Sequence, residues 1–324
     1  MKKFLGLLLV VLALNGCDDG DIKVEAIDFD TVNTSSCGEV IYKIRDNEAL
    51  FIKVPTALDA FANEVTPQGS PRTFAIGNEV IVRYRGYNGA VTSDNLCPDV
   101  IQPIFPVATI EWSGIGGNLE VVTTPVMSAP DATTGATKLV SYNHNITFKN
   151  IIFLKPTGRQ IYNEFVFGDY TTNATNLPLQ FAPNNIHLCP SGTTLYNAID
   201  GGFEGMFIEN LDPALLATDV LDTPKTRYIS STTNKLSYRL FQTALPTGGN
   251  DGYFCSSPLP ATPAVVEEWL ADPGANVSGI IEVTTTSNAP GVFQHTIRLK
   301  GITFRKGGVS FYYGNDILWG NLII

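Results

Sequence analysis

Hydrophobic residues recur at every second position along much of this chain. In residues 295–306, HTIRLKGITFRK, Ile297 and Leu299 alternate with Thr296, Arg298 and Lys300, and Ile302 and Phe304 resume after the parity slips by one. Period two sends successive side chains to opposite faces, so the pattern predicts a strand with one buried face. Residues 144–155, HNITFKNIIFLK, repeat it with Ile146 and Phe148, then Ile151 and Phe153. The slip falls at Gly301 in one copy and Asn150 in the other, residue types that tolerate a left-handed backbone, and predicts a β-bulge in both. Before each copy runs another alternating stretch, LEVVTT (119–124) and IEVTTT (281–286), joined to it through a loop of Pro, Asp, Thr and Gly as a long hairpin. Helix signals are few. Residues 263–270, PAVVEEWL, carry a first-turn proline, two glutamates and a Val265, Val266, Trp269, Leu270 side, which predicts a short helix ended by Asp272, Pro273 and Gly274. Residues 106–112 are a weaker copy, and short helical turns are expected near 56–65 and 212–220. Trp112 and Trp269 are expected to plug a core.

The paired strands belong to a longer correspondence. Cys37 aligns with Cys189; Glu48, Phe51 and Ile52 with Glu204, Phe207 and Ile208; Asn78 and Arg83 with Asn234 and Arg239. Cys97 aligns with Cys255, Glu111 and Trp112 with Glu268 and Trp269, and Phe167 and Gly168 with Trp319 and Gly320. The landmarks keep one order, and the offset drifts only between 151 and 162, changing in loops, as a tandem duplication requires. The predicted fold is mainly β: two tandem antiparallel β-sandwich-like repeats, each with a short helix, at 36–170 and 185–324, joined by a linker at 171–184. Repeats of about 135–140 residues are large enough for a core each.

The N-terminus changes the picture from fold to location. Residues 1–16 combine Lys2 and Lys3 with an apolar run too short to span a membrane, the pattern of an export signal. The run ends in Leu14, Asn15, Gly16 and Cys17, which resembles the bacterial lipobox. That resemblance implies lipid attachment at Cys17 and anchorage in a membrane, the plainer alternative being a free thiol on a secreted protein. Of five cysteines, four then remain, and an exported chain can pair them. One early and one late cysteine per repeat makes Cys37–Cys97 and Cys189–Cys255 the pairing that lets each repeat fold alone. Closing loops of this length is worth about 4 kcal/mol each. No CxxC or Cys/His spacing supports a metal site.

Removal of Lys2 and Lys3 with the signal leaves 19 of 21 basic side chains against 31 acidic ones, a net charge of −12. No basic stripe offsets this, which argues against nucleic acid as a partner. Acidity is densest just after Cys17, where Asp18, Asp19, Asp21, Glu25, Asp28 and Asp30 face only Lys23. Residues 17–35 are therefore expected to form an extended, solvated tether. This acidic stretch also resembles the export signal of surface lipoproteins in Bacteroidetes, without the lysine or glutamine that often precedes the acidic pair. In enterobacteria an Asp after the lipidated Cys is instead read as inner-membrane retention. The expected location is the bacterial outer membrane, on its surface or periplasmic face.

Candidates for chemistry are sparse. His144 and His295 are repeat-equivalent but have no ligand or catalytic partner at a useful spacing, so a structural or surface role is expected. Glu111 and Glu268 supply one carboxylate per repeat, whereas a glycosidase needs two in one cleft. No nucleophile elbow, P-loop, HExxH or EF-hand loop occurs, and no catalytic residue, cofactor or metal is assigned. GNEVIVRYRGYNG (77–89) resembles an early strand of FKBP-type prolyl isomerases, but the rest of that pattern is absent and the second copy, TNKLSYRLFQTA, loses it. Tyr84, Tyr87, Tyr142, Tyr162, Tyr312 and Tyr313 lie in or beside strand patterns. Tyr312, out of phase with Phe311 and Tyr313, and Trp269 are the candidates for a ligand platform of the kind sugars use; ordinary half-buried strand tyrosines are the plainer reading.

The export signal, acidic tether and W…IEVTTT…HxIxxKxIxFxK layout together resemble two-repeat lipoproteins of flavobacteria and their relatives. The resemblance implies a lipid-anchored envelope protein and carries no activity with it. A non-enzymatic binding or structural module is expected, with the membrane and a glycan or another envelope protein as partners. The alternative is a glycan-active or prolyl-isomerase-type envelope enzyme.

Overall fold

In the computed structural model, which describes residues 26–97 and 105–324, the period-two stretches are strands of two antiparallel sheets. The first half supplies β1 (Ser35–Cys37), β2 (Val40–Arg45), β3 (Glu48–Lys53), β4 (Arg72–Ala75), β5 (Ile81–Tyr87), β6 (Ala108–Met127), β7 (Leu139–Lys155) and β8 (Gly158–Asn173). They pair in the order β1-β2-β3-β5-β6-β7-β8, with β4 on β6. The second half supplies β9 (Ile186–Leu188), β10 (Leu195–Ala198), β11 (Glu204–Glu209), β12 (Lys225–Tyr228), β13 (Lys235–Phe241), β14 (Val265–Ala271), β15 (Ile280–Ala289), β16 (Val292–Lys306) and β17 (Val309–Ile323). Among the described residues no strand pairs across the halves. Cys17 and the rest of the expected export signal lie outside the described residues.

The two sheets share one plan with one difference. β6 runs unbroken for 20 residues, pairing with β5 through its start and with β4 through its middle. The second half splits this path into β14, which pairs with β13, and β15, which pairs with β12. Both return strands, β7 and β16, carry the expected parity slip at a left-handed residue, Asn150 (φ 52°) and Gly301 (φ 60°). Each slip presses on the bend opposite. A Cβ on Gly117 would lie 2.5 Å from the Asn150 carbonyl oxygen, and one on Gly301 would lie 2.7 Å from Ser278 Cα. Burial follows the alternation: Ile146, Phe148, Ile151 and Phe153 are buried in one strand, Ile297, Leu299, Ile302 and Phe304 in the other.

Each half has its own core, around Leu50, Val82, Trp112 and Phe148 in the first and around Met206, Tyr238, Trp269 and Phe304 in the second. Disulfides join Cys37 to Cys97 and Cys189 to Cys255, so each bridge stays within one half. A four-residue helix, α1 (Asp251–Phe254), precedes Cys255 and stacks Phe254 on Tyr196 at 4.7 Å. Short 3-10 turns occupy Thr56–Leu58 and Pro213–Leu216, near the two expected helical turns.

Three expectations need correction. The helix expected at 263–270 is strand β14, and its weaker copy at 106–112 leads into β6. Glu267 and Glu268 read as helix formers, yet across the sheet they pair with Lys306 and Arg239, and only Trp269 of the presumed apolar side is buried. Tertiary pairing outweighs a weak helical propensity here. Where it is described, the tether is docked on the first unit through its apolar residues. Ile27 and Phe29 are buried in the first core, Lys43 donates to the Phe29 carbonyl at 3.1 Å, and Arg45 pairs with Asp28. The linker behaves alike: Leu177 is buried in the second core, with Leu179 and Phe181 packed against it.

These two docked segments occupy equivalent places, lying between the first hairpin and the last strand of their own half. In the second half Asn321 donates to Pro183 at 2.7 Å, and the buried Asn197 amide donates to the carbonyls of Ala182 and Trp319, so the sheet curls until its ends meet across the segment. In the first half the buried Lys43 takes the place of Asn197. Its ammonium reaches Phe29 on one side and lies 5.7 Å from the centre of the Phe167 ring on the other. The register supports this equivalence, because Lys43 faces Leu50 as Asn197 faces Met206. Burial holds the Lys43 pKa below its usual value, with Asp30 and Asp169 opposing the shift.

The halves also touch each other. The hairpin turn between β6 and β7 lies along β17: Thr137 N–H donates to the Tyr312 carbonyl, Tyr312 N–H to Thr137 Oγ1, and Asn315 N–H to the Thr134 carbonyl. Tyr142 of β7 is counted in the second core, not the first.

Candidate functional site

The polar residues that repeat between the halves converge, but inside each unit. In the first, Glu48 accepts from the Tyr84 hydroxyl at 3.0 Å, Tyr84 packs 4.9 Å from the Trp112 ring, and Arg85 bonds Glu111 at 2.7 Å while lying over Phe51. In the second, Glu204 accepts from the Tyr238 hydroxyl at 2.8 Å, Tyr238 is register-paired with Trp269, and Arg239 bonds Glu268 at 2.7 Å over Phe207. The spatial counterpart of Arg239 is therefore Arg85, not Arg83 as the sequence alignment has it. Arg83 is an additional partner of Glu111. Burial alone would raise the Glu111 carboxyl; the hydrogen bond and charge of Arg85, with Arg83, hold it below its ordinary value.

The Glu48/Glu204 position fastens the docked segment. Glu204, itself buried, accepts the backbone N–H groups of Leu179 and Gln180 at 2.8 Å each. Glu48 does this at one remove, holding Arg45, which pairs with Asp28. Burial first and then Glu204 push the Tyr238 phenol upward, so its proton stays on to donate.

The histidines are also internal. His144 and His295 are fully buried within their strands, each joined through Nδ1 to a threonine of the neighbouring strand, Thr123 at 2.8 Å and Thr285 at 2.9 Å. His144 completes a relay, with Nε2 on Thr172 and Arg72 donating to Thr123. His295 Nε2 has no partner among the described residues. Burial, then the charge of Arg72, lowers His144 to about 4, and burial and Lys225 lower His295.

The strand tyrosines are covered to differing degrees. Tyr87 and Tyr142 are buried, and Tyr84, Tyr162, Tyr312 and Tyr313 are half-buried. Of the two candidate platform residues, Trp269 is 2% exposed with its ring 5.1 Å from that of Phe311, so it offers no open face to a sugar. Tyr312 lies under the 131–137 turn, its hydroxyl bonded to Asn315 at 2.7 Å.

A polar cleft of about 240 Å³ lies where the halves meet. Asp59, Asn63 and Glu64 border it from the turn after β3, Leu139 and Tyr142 from β7, Thr175 from the connecting segment, and Glu267, Trp269 and Lys306 from β14 and β16. Glu267 and Lys306 pair at 2.7 Å. Asp59 and Glu64 have no ion-pair partner among the described residues. Tyr142 is 7% exposed, and its hydroxyl has no hydrogen-bond partner among them. Its phenol is pushed up by burial and by the charges of Glu267 and Glu64. Among the described residues no group of three or more His, Cys, Asp or Glu side chains could hold a metal ion, and no helix is long and apolar enough to cross a membrane. Sequence reasoning missed this cleft, whose members come from five separated stretches; of the residues singled out in the sequence, Tyr142 and Trp269 line it.

No family model, curated protein or solved structure matches the chain.

Proposed function

We propose that this chain is a lipid-anchored lipoprotein of the bacterial cell envelope, held at the outer membrane through Cys17, whose paired units bind a ligand without transforming it. Its sequence supports the anchor, and two intrachain disulfides accord with an oxidising, exported location. The observation that carries the binding reading is the inter-unit cleft. Repeated polar residues are consumed as struts within each unit, whereas Asp59, Glu64 and Tyr142 are left with unmet polar capacity where the units join. A concave site with a few convergent polar groups is the usual form of a small-ligand site. The occupant it has room for is a small polar headgroup, because the volume falls below the roughly 300–1,000 Å³ of sites for drug-sized ligands.

Two measurements test the reading. A Cys17→Ala variant should lose acylation and leave the membrane fraction; retention there would remove the anchor. The mature chain from Asp18 onward, screened on a glycan array and by crosslinking on cells, should capture a ligand or envelope partner, and Tyr142→Phe should weaken the capture. The carboxylates of the cleft favour a glycan-hydrolase alternative. Release of reducing sugar from envelope glycans, abolished in Glu64→Gln, would replace binding by catalysis.

A further inference from the structure

Resting on the cleft as the binding site, we infer that it recognises a positively charged nitrogen, the ammonium of an amine-bearing ligand. The charge balance is the first argument. Of the four charged side chains lining the cleft, Lys306 is engaged by Glu267, which leaves the Asp59 and Glu64 carboxylates without an ion-pair partner among the described residues, the Arg72 guanidinium nearby being spent on the Glu64 backbone carbonyl. Two carboxylates without a basic partner repel anions and draw a cation, and a partly enclosed setting strengthens that pull relative to bulk water.

Tyr142 is an independent second argument. Its ring is fixed in the second core, so its hydroxyl is positioned before any ligand arrives. Burial, and after it the charges of Glu267 and Glu64, push the phenol further up, so the hydroxyl keeps its proton, and its oxygen can accept from an N–H donor. An ammonium has three donors and no acceptor, which matches an arrangement of carboxylate and phenol oxygens.

A metal ion fits less well. It needs carboxylates converging on one point, and among the described residues no such group exists. An organic cation, larger and less demanding in geometry, suits carboxylates placed around a cleft. Amino sugars and basic chain ends share this chemistry.

Calorimetry on the full mature protein in detergent, with glucosamine, cadaverine, glucose and glucuronate as separate probes, tests the inference. Glucosamine should bind at least tenfold more tightly than glucose, and glucuronate should not bind. Glu64→Gln should weaken glucosamine about tenfold and Tyr142→Phe several-fold, with circular dichroism unchanged; Asp59→Asn, on an exposed turn, serves as a second variant should Glu64→Gln disturb the fold. Cadaverine equal to glucosamine would assign recognition to the ammonium alone, and weaker cadaverine would assign it to an amino sugar. Binding of glucose or glucuronate that Tyr142→Phe abolishes would overturn the cation while leaving the cleft as a binding site. No binding of any probe, or glucosamine affinity unchanged in both carboxylate variants, would overturn the inference itself.

Discussion

Replacing Phe29 with alanine separates a docked segment from a free tether. Phe29 is 3% exposed, lies edge-on to Tyr84 at 6.5 Å and sits beneath the Arg45 guanidinium at 5.4 Å. Removing a buried phenylalanine ring costs about 3–5 kcal/mol through lost burial and the cavity left behind. We expect the lower half of that range, about 3–4 kcal/mol, because a peripheral segment can relax toward the gap. The Lys43 ammonium keeps its backbone acceptor at residue 29, so the loss is one of packing. With a urea slope of about 2 kcal/mol per molar, the midpoint of the first unit should fall by roughly 1.5–2 M. Tryptophan fluorescence localises the effect, since Trp112 lies in the first core and Trp269 and Trp319 in the second. The expected curve gains an early phase carried by Trp112. Thr31→Ala, at an exposed position, is the control and should stay within about 0.5 kcal/mol. A Phe29→Ala midpoint as small in its shift as that control, or a loss shared equally by both units, would refute the docking argument.

Three further outcomes are expected. Because His144 is held near 4 when folded and near 6.5 when unfolded, the unfolded chain binds the extra proton first; its contribution is complete above pH 6.5 and is lost as pH falls toward 4, up to about 3 kcal/mol, and an NMR titration showing His144 protonated at pH 6 would contradict this. Gly301→Ala should destabilise the second unit by about 2 kcal/mol or more in thermal unfolding, since it combines a left-handed backbone with a Cβ 2.7 Å from Ser278 Cα, whereas Asn150→Gly should change the first by no more than about 0.5 kcal/mol. Paired Cys37→Ala and Cys97→Ala substitutions should remove about 4 kcal/mol from the first unit by opening a 60-residue loop, leaving the second unit's transition in place; equal loss in both would mean that the units do not unfold separately.

Period-two alternation made the strands legible, because burial on one face leaves a direct mark at every second residue. The slips at Asn150 and Gly301 were legible for the same reason, as a break in that mark at residues suited to positive φ. β14 was not. PAVVEEWL satisfies a helical period as well as an extended one, and the deciding partners, Arg239 and Lys306, lie 29 and 39 positions away. The Arg85–Arg239 equivalence was hidden because GNEVIVRYR offers two arginines at strand spacing, and only the shared contact with Phe51 or Phe207 chooses between them. Ile27 and Phe29 were masked by the acidic residues between and around them: a two-residue apolar signal is too short to outweigh the local charge. Tyr142 and Trp269 were visible one by one, but nothing local joined them to Asp59, Glu64 and Lys306 as one cleft.

The docking of the connecting segment has a mechanical consequence. β8 ends at Asn173 and Leu177 is already buried in the next unit, so the covalent joint is only a few residues long. Tyr142 and the 131–137 turn add two more points of attachment away from that joint. A body fastened at three separated points has no axis about which to swing. A pull on one unit is therefore passed to the other as through a stiff bracket, and the gap between them keeps its width under load.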